Sequence, residues 1–219
     1  MLSNKCFIYS IGYTSLWILQ ALKDNDDELE RIRALHQEDA CRLMDIPWSV
    51  PHIIENYDNI PASLTCIDNC LHQRQTASST QSIAKTLALN DPYFKFIQGD
   101  AFQTNQLFEP NSIDVLWCDF GVGSKIKQFI SNMWECITPG GYFICHSTLT
   151  NRGTREWLDA IRDRKSKDFT GIGSDEYVEM SFLEPHKFFQ NSITILQKRK
   201  INSSSDSSAF EEPIYSEYA

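Results

Sequence analysis

The chain has 219 residues, 42% hydrophobic and 12% aromatic, which suits one globular domain with a substantial core and leaves little for a second. Its formal charge of −9 repels phosphate backbones and anionic lipid, so broad electrostatic binding to nucleic acid or membrane is disfavoured and a small or neutral partner favoured. No apolar run approaches the ~20 residues that span a bilayer, Lys5 alone precedes a short mixed segment that does not read as a signal peptide, and seven cysteines without a CxxC suit a reducing compartment.

A cytoplasmic protein is therefore expected. Residues 4–11 read as a strand and 14–23 as a short helix with Leu16, Leu19, Ala21 and Leu22 on its buried side. The acidic run 24–30 opens a second amphipathic helix, with Leu29, Ile32, Leu35, Ala40 and Leu43 on one stripe. Pro47, Pro51 and Pro61 punctuate DIPWSVPHIIENYDNIP (45–61), which cannot continue that helix and reads as a loop, with a lid as one role open to it. SLTCIDN (63–69) is a buried strand ending in an acid, and 80–89 a helix. YFKFIQGD (93–100) and SIDVLWCDF (112–120) are strands, 124–137 a helix, GGYFICHST (140–148) a strand and 152–164 a helix.

EYVEMSF (176–182) and NSITILQK (191–198) close the fold as alternating strands. Strands alternating with helices predict parallel pairing through right-handed crossovers, and continuous apolar strands predict a sheet covered on both faces. No helix separates the last two strands, so one of them is expected to run antiparallel. The serine-rich, acidic stretch 201–219 cannot bury enough apolar area to offset ordering and is expected to be a disordered, solvated tail, Tyr215 and Tyr218 included.

Ligands of a doubly wound sheet sit outside the carboxyl ends of its strands, which directs attention to the residues just after each strand. Asp68 ends an apolar strand, where a carboxylate can accept both hydroxyls of a ribose; a solvated strand-end acid is the plainer reading. GDAF (99–102) offers a tight turn, an acceptor for an exocyclic amine and a flat ring. CDFGVG (118–123) sets Asp119 after the central strand, with two glycines that let a ligand approach the backbone or simply turn the chain into the next helix. His146, ending the YFIC strand, and His186, in the connector of the last two strands, are candidate general bases, or hydrogen-bonded structural histidines. Asp119, Asn151 and Arg155 are candidates for a polar network around a substrate. Cys66 and Cys70, with three residues between them and no second pair, make a poor zinc site, and no metal is expected.

Taken in order, FIQGDAF, IDVLWCDFGVG and WECITPGGYFICHST resemble the class I (Rossmann-like) S-adenosylmethionine-dependent methyltransferases, over residues 9–198. The resemblance implies an α/β fold: a doubly wound, mostly parallel seven-stranded sheet with one antiparallel strand near the C-terminus and helices on both faces. That domain would span 1–200, with a helical and proline-rich insertion at 24–61. S-adenosylmethionine would lie across the first four strand ends, with Asp68 on the ribose, Asp100 and Ala101 at the adenine, and Asp119 and Phe120 beside the methionine moiety and the reactive methyl. The family's glycine turn would fall on 8–15, including Gly12, Tyr13, Thr14 and Ser15.

There the sequence departs from the family. Aligned on Gly12, Cys6 stands where an acid is usual and Ile8 where the first glycine is usual, and a β-branched residue resists positive φ. The step from Gly12 to Asp68 also far exceeds the ~30 residues of a single βαβ unit. His146 and Ser147 follow the Pro-Gly-Gly strand in place of an acidic pair, which disfavours a metal-assisted mechanism. The expected function is methyl transfer to the oxygen or nitrogen of a small molecule, with His146, Asp119 and His186 as catalytic candidates. The alternative is a degenerate methyltransferase fold with a binding or regulatory role. A nicotinamide oxidoreductase would need GxGxxG after the first strand, which is absent; homo-oligomerisation stays open.

Overall fold

The computed structural model describes residues 5–9, 12–38, 62–71, 76–89, 93–184 and 191–199. His186, the loop aromatics Trp48 and Tyr57, Phe188, Phe189 and the tail lie outside the described residues. β1 (Lys5–Tyr9), β2 (Ser63–Asp68), β3 (Phe94–Gln98), β4 (Ile113–Cys118), β5 (Ile137–His146), β6 (Tyr177–Glu184) and β7 (Asn191–Lys198) form one sheet in the order β3-β2-β1-β4-β5-β7-β6. β1 is parallel to β2 and β4, as β2 is to β3 and β4 to β5. β7 runs antiparallel to both β5 and β6, so it is the reversed strand.

The helices are α1 (Tyr13–Gln37), α2 (Thr76–Thr86), α3 (Ile126–Met133), α4 (Arg152–Arg162) and the single turn α5 (Lys167–Thr170). Strand alternation divides the core in two. Leu116, Cys118, Phe143 and Cys145 pack with Phe129 and Met133 of α3 and Trp157 and Leu158 of α4. Cys6, Leu64 and Cys66 pack on the other face with Leu19 of α1 and Ala77 and Ala84 of α2. No helix among the described residues is long and apolar enough to cross a membrane.

Several boundaries differ from expectation, each for a local reason. The two helices expected at 14–23 and after 24 are one, α1, because no glycine or proline interrupts the junction. Side-chain bonds from Gln20 to Asp24 (2.7 Å) and Lys23 to Asp27 (2.6 Å) span it at i,i+4. Within α1, Leu19 is fully buried, Leu16 and Leu22 half-buried and Ala21 exposed. α2 occupies 76–86 in place of 80–89, and Ala88 at φ 54° ends it in the left-handed region. β5 begins at Ile137, before Pro139, through an irregular register with β4 between Ile113 and Val115. Gly141 permits this: a Cβ there would lie 2.8 Å from the Asp114 carbonyl oxygen.

Candidate active site

The C-terminal ends of β1 to β4 surround a cavity of about 700 Å³. Gly12, Asp68, Asp100, Ala101, Asp119 and Phe120 all line it, so the fold gathers six of the sequence candidates into one space. Asp68 is the last residue of β2. Its Oδ1 accepts the Cys70 backbone N–H at 2.7 Å, and its carbonyl accepts the Gly99 N–H at 3.0 Å, which ties the ends of β2 and β3 together. Asp100 caps a 3-10 turn over Ala101–Gln103, Oδ1 accepting the Phe102 N–H at 3.0 Å. Each carboxylate is thus oriented through one oxygen, and the second has no hydrogen-bond partner among the described residues.

Parallel pairing of β4 and β5 sets Cys118 beside Cys145, and therefore brings the next residues, Asp119 and His146, abreast. Asp119 Oδ1 lies 2.9 Å from His146 Nδ1, and Ser147 Oγ lies 3.2 Å from the same nitrogen. A carboxylate at that distance favours the tautomer with the proton on Nδ1, in which a neutral ring carries its lone pair on Nε2. The histidine side chain is 17% exposed, while that of Asp119 is 36% exposed on the cavity side. Phe120, beside it, packs edge-on to Phe129 (5.0 Å between centroids) and Phe102 (5.8 Å). That wall joins the cavity to the main core.

The segment around Gly12 behaves differently from the glycine turn expected at 8–15. Ile8 lies within β1, paired with Cys66 on one side and Trp117 on the other, and Cys6 pairs with Leu64 and Val115. Neither residue is in a turn, so no glycine conformation is asked of Ile8. Burial, followed by the nearby Cys66 and Asp114, pushes the Cys6 thiol up to about 12. A Cβ added to Gly12 would meet nothing within 4 Å: its missing side chain is cavity space.

Tyr13, Thr14 and Ser15 are not among the lining residues, nor is His146, which meets the cavity through its contact with Asp119. Tyr13 is 73% exposed and stands edge-on against Trp17. Ser15 is fully buried. Its Oγ accepts the Gly12 N–H (3.4 Å) and the Cys66 thiol (3.5 Å), fastening the first turn of α1 to β2.

The expected network of Asp119, Asn151 and Arg155 does not form. Asn151 Oδ1 caps α4 by accepting the N–H groups of Gly153 (2.8 Å) and Thr154 (3.4 Å), and the Arg155 guanidinium donates to the Leu149 carbonyl at 2.6 Å. His146 is the partner Asp119 has in their place. Asn69, Leu71 and Thr76 also line the cavity and escaped the sequence reading, which stopped at the acid ending β2. Asn69 Oδ1 accepts the Leu71 N–H at 3.0 Å, a turn that presents Leu71 82% exposed at the cavity. Among the described residues no group of three His, Cys, Asp or Glu side chains is arranged to hold a metal.

A family model described as a methyltransferase domain matches residues 9–148. The O-methyltransferase TomG of Streptomyces achromogenes, solved with S-adenosylmethionine, is 12% identical with a TM-score of 0.53, over 90% of this chain and 74% of that one. An rRNA methylase of Streptococcus thermophilus is 10% identical with a TM-score of 0.52, over 91% of this chain and 90% of that one. At such identities these likenesses speak for the fold. No curated protein matches the chain. The family match covers well over half of the sequence, from the end of β1 past the last strand that carries a site residue, and the chain belongs to the methyltransferase-domain family, with the class I Rossmann-like fold.

Proposed function

We propose that the protein is an S-adenosylmethionine-dependent methyltransferase acting on an oxygen or nitrogen of a small molecule. The observation that carries this reading is the row of three carboxylates, Asp68, Asp100 and Asp119, at three successive strand ends around one cavity, beside the ring of Phe120. These residues suit the cofactor: a ribose diol and an exocyclic amine are donors that want carboxylate acceptors, and a sulfonium is a cation. Bound there, S-adenosylmethionine supplies an electrophilic methyl group open to in-line displacement.

The chain's own tasks are then alignment, exclusion of water and removal of one proton. Asp68 takes the ribose hydroxyls, Asp100 and Ala101 border the adenine, and Asp119 and Phe120 flank the methionine end. Gly12 leaves room beside the N-terminus of α1, whose first N–H groups and dipole favour a carboxylate. His146, held as the Nδ1–H tautomer by Asp119, accepts the acceptor's proton at Nε2.

A small acceptor is favoured by charge. Among the described residues no lysine or arginine lines the cavity, and a phosphate-rich acceptor would meet three carboxylates within a chain of net charge −9. The alternative of a cofactor-free scaffold drew its support from Ile8 and Cys6, and both belong to β1. Isothermal titration with S-adenosylmethionine and S-adenosylhomocysteine tests the proposal. Micromolar binding of both is expected; absence of heat at millimolar ligand, with the protein folded, overturns it in favour of the scaffold.

A further inference from the structure

We infer that the buried hydroxyls of Thr148 and Ser192 are positioning groups that fix the turn after His146 and thereby aim its imidazole at Asp119. The inference rests on the reading of His146 as the base. It begins with the backbone: Ser147 has φ 64°, a left-handed conformation that brings the Cβ of a non-glycine residue close to the following carbonyl oxygen. Such a turn persists only where its surroundings over-determine it.

Two elements do so. From β7, the Ser192 carbonyl accepts the Ser147 N–H at 2.9 Å. The Thr148 hydroxyl, fully buried, bonds Ser192 Oγ and also Thr194 Oγ1 at 2.9 Å. From α4, Thr154 Oγ1 donates to the Thr148 carbonyl at 3.1 Å. The register pairs His146 with Ile193, so Ser192 lies one residue from that pair and Thr148 two.

Hydroxyls are a costly choice for a site with no more than 1% exposure at Thr148, Ser192 and Thr194. Valine or alanine would fill such a place without desolvating a polar group. What directed bonds add is a defined geometry. That geometry decides where the chain leaves β5, and hence whether His146 Nδ1 reaches Asp119 at 2.9 Å. A role confined to docking α4 on the sheet would leave the imidazole's bonding unchanged when the hydroxyls are removed.

Ring nitrogen-15 NMR of the full chain bound to S-adenosylhomocysteine separates the two. His146 is assigned among the five histidines from the spectrum of His146→Gln. The wild type should show a predominant Nδ1–H tautomer, and Asp119→Asn should lose it. Thr148→Val and Ser192→Ala should each move the two ring resonances at least halfway toward the Asp119→Asn pattern, while Thr148→Ser, which keeps the hydroxyl, restores them. If Asp119→Asn shifts the signals and neither hydroxyl variant does, the positioning role is refuted and the base reading survives. If Asp119→Asn itself changes nothing, the base reading fails and the inference with it. Ser192→Ala retains the backbone acceptor of Ser147, so it remains decisive should Thr148→Val fail to fold.

Discussion

Replacing Asp68 by asparagine isolates the charge that the proposed ribose contact requires. Asp68 Oδ1 holds the Cys70 N–H at 2.7 Å, and Cys70 has φ 58°, so deleting the side chain would also release a left-handed turn. Asparagine keeps that bond through its own Oδ1 and turns the remaining oxygen into an N–H₂ donor. A ribose hydroxyl then loses a charged acceptor and meets a competing donor. Hydrogen bonds to charged groups contribute ~1.5–3 kcal/mol net, and with partial rebonding to asparagine the expected loss is ~1–3 kcal/mol, roughly 5- to 150-fold in Kd. Titration calorimetry with S-adenosylhomocysteine reads it directly. The 2′,3′-dideoxy analogue closes a double-mutant cycle, since it should bind wild type and Asp68→Asn alike. Affinity for the parent ligand within twofold of wild type, with the melting temperature unchanged, would refute the assignment of Asp68 to the ribose.

Two glycines should respond oppositely to alanine. Gly12→Ala meets no atom within 4 Å, so its thermal melt should match wild type while S-adenosylhomocysteine binding weakens by ~1–3 kcal/mol, the usual scale of overfilling a packed site. Gly153→Ala puts a Cβ 2.6 Å from Ser124 Cα, and should lower stability in urea by ~1–3 kcal/mol. At neutral pH a maleimide should label Cys70 before the other five described cysteines, because burial pushes the Cys66 thiol up to about 12 and Cys118 well above its ordinary value. Peptide mapping checks the order, and earlier labelling of Cys66 or Cys118 in the native protein would contradict it. For stability against pH, folded-state values for Cys6 and Cys66 raised from 9.0 to about 12 mean that the unfolded chain releases these protons first. Their contribution is complete below pH 9 and is lost progressively as pH rises toward 12. Urea midpoints across that window should fall less steeply in Cys6→Ala than in wild type.

The half of the fold that follows β2 was readable because its signals are local. FIQGD and VLWCD are apolar strands that stop at an acid, Pro-Gly-Gly forbids the preceding helix from continuing although β5 already begins at Ile137, and the closing strands alternate cleanly. Because a doubly wound sheet places ligands at strand ends, Asp68, Asp100 and Asp119 could be named before any coordinates, and they line one cavity. What escaped depends on pairing between distant segments. The contact of His146 with Asp119 follows from the register of Cys118 with Cys145, which no local pattern encodes. Asn151 illustrates the opposite case: a candidate for a polar network around the substrate is a helix cap, as its position just before α4 favours. The acidic run at 24–30 interrupts the apolar pattern and so suggests a new helix, whereas α1 carries it in mid-helix with no breaking residue on either side.

β1 shows how a motif can mislead when its frame is taken from one residue. Counting backward from Gly12 put Ile8 at a glycine position and Cys6 at an acidic one, and the turn looked damaged. A central strand is framed from both sides: Tyr9 lies beside Ile67 on β2 and Cys118 on β4, so Asp68 and Asp119 each stand one step beyond the level of Tyr9. The segment that enters α1 therefore begins beyond Tyr9, and neither Cys6 nor Ile8 belongs to it. The turn carries one glycine, Gly12, at the place where a missing side chain opens the cavity, and Ser15 beneath it fastens α1 to β2. On the proposed reading, with one glycine beside the cofactor, the acids after β2, β3 and β4 carry its binding, so substitutions at Asp68 should weigh more on cofactor affinity than substitutions at Cys6.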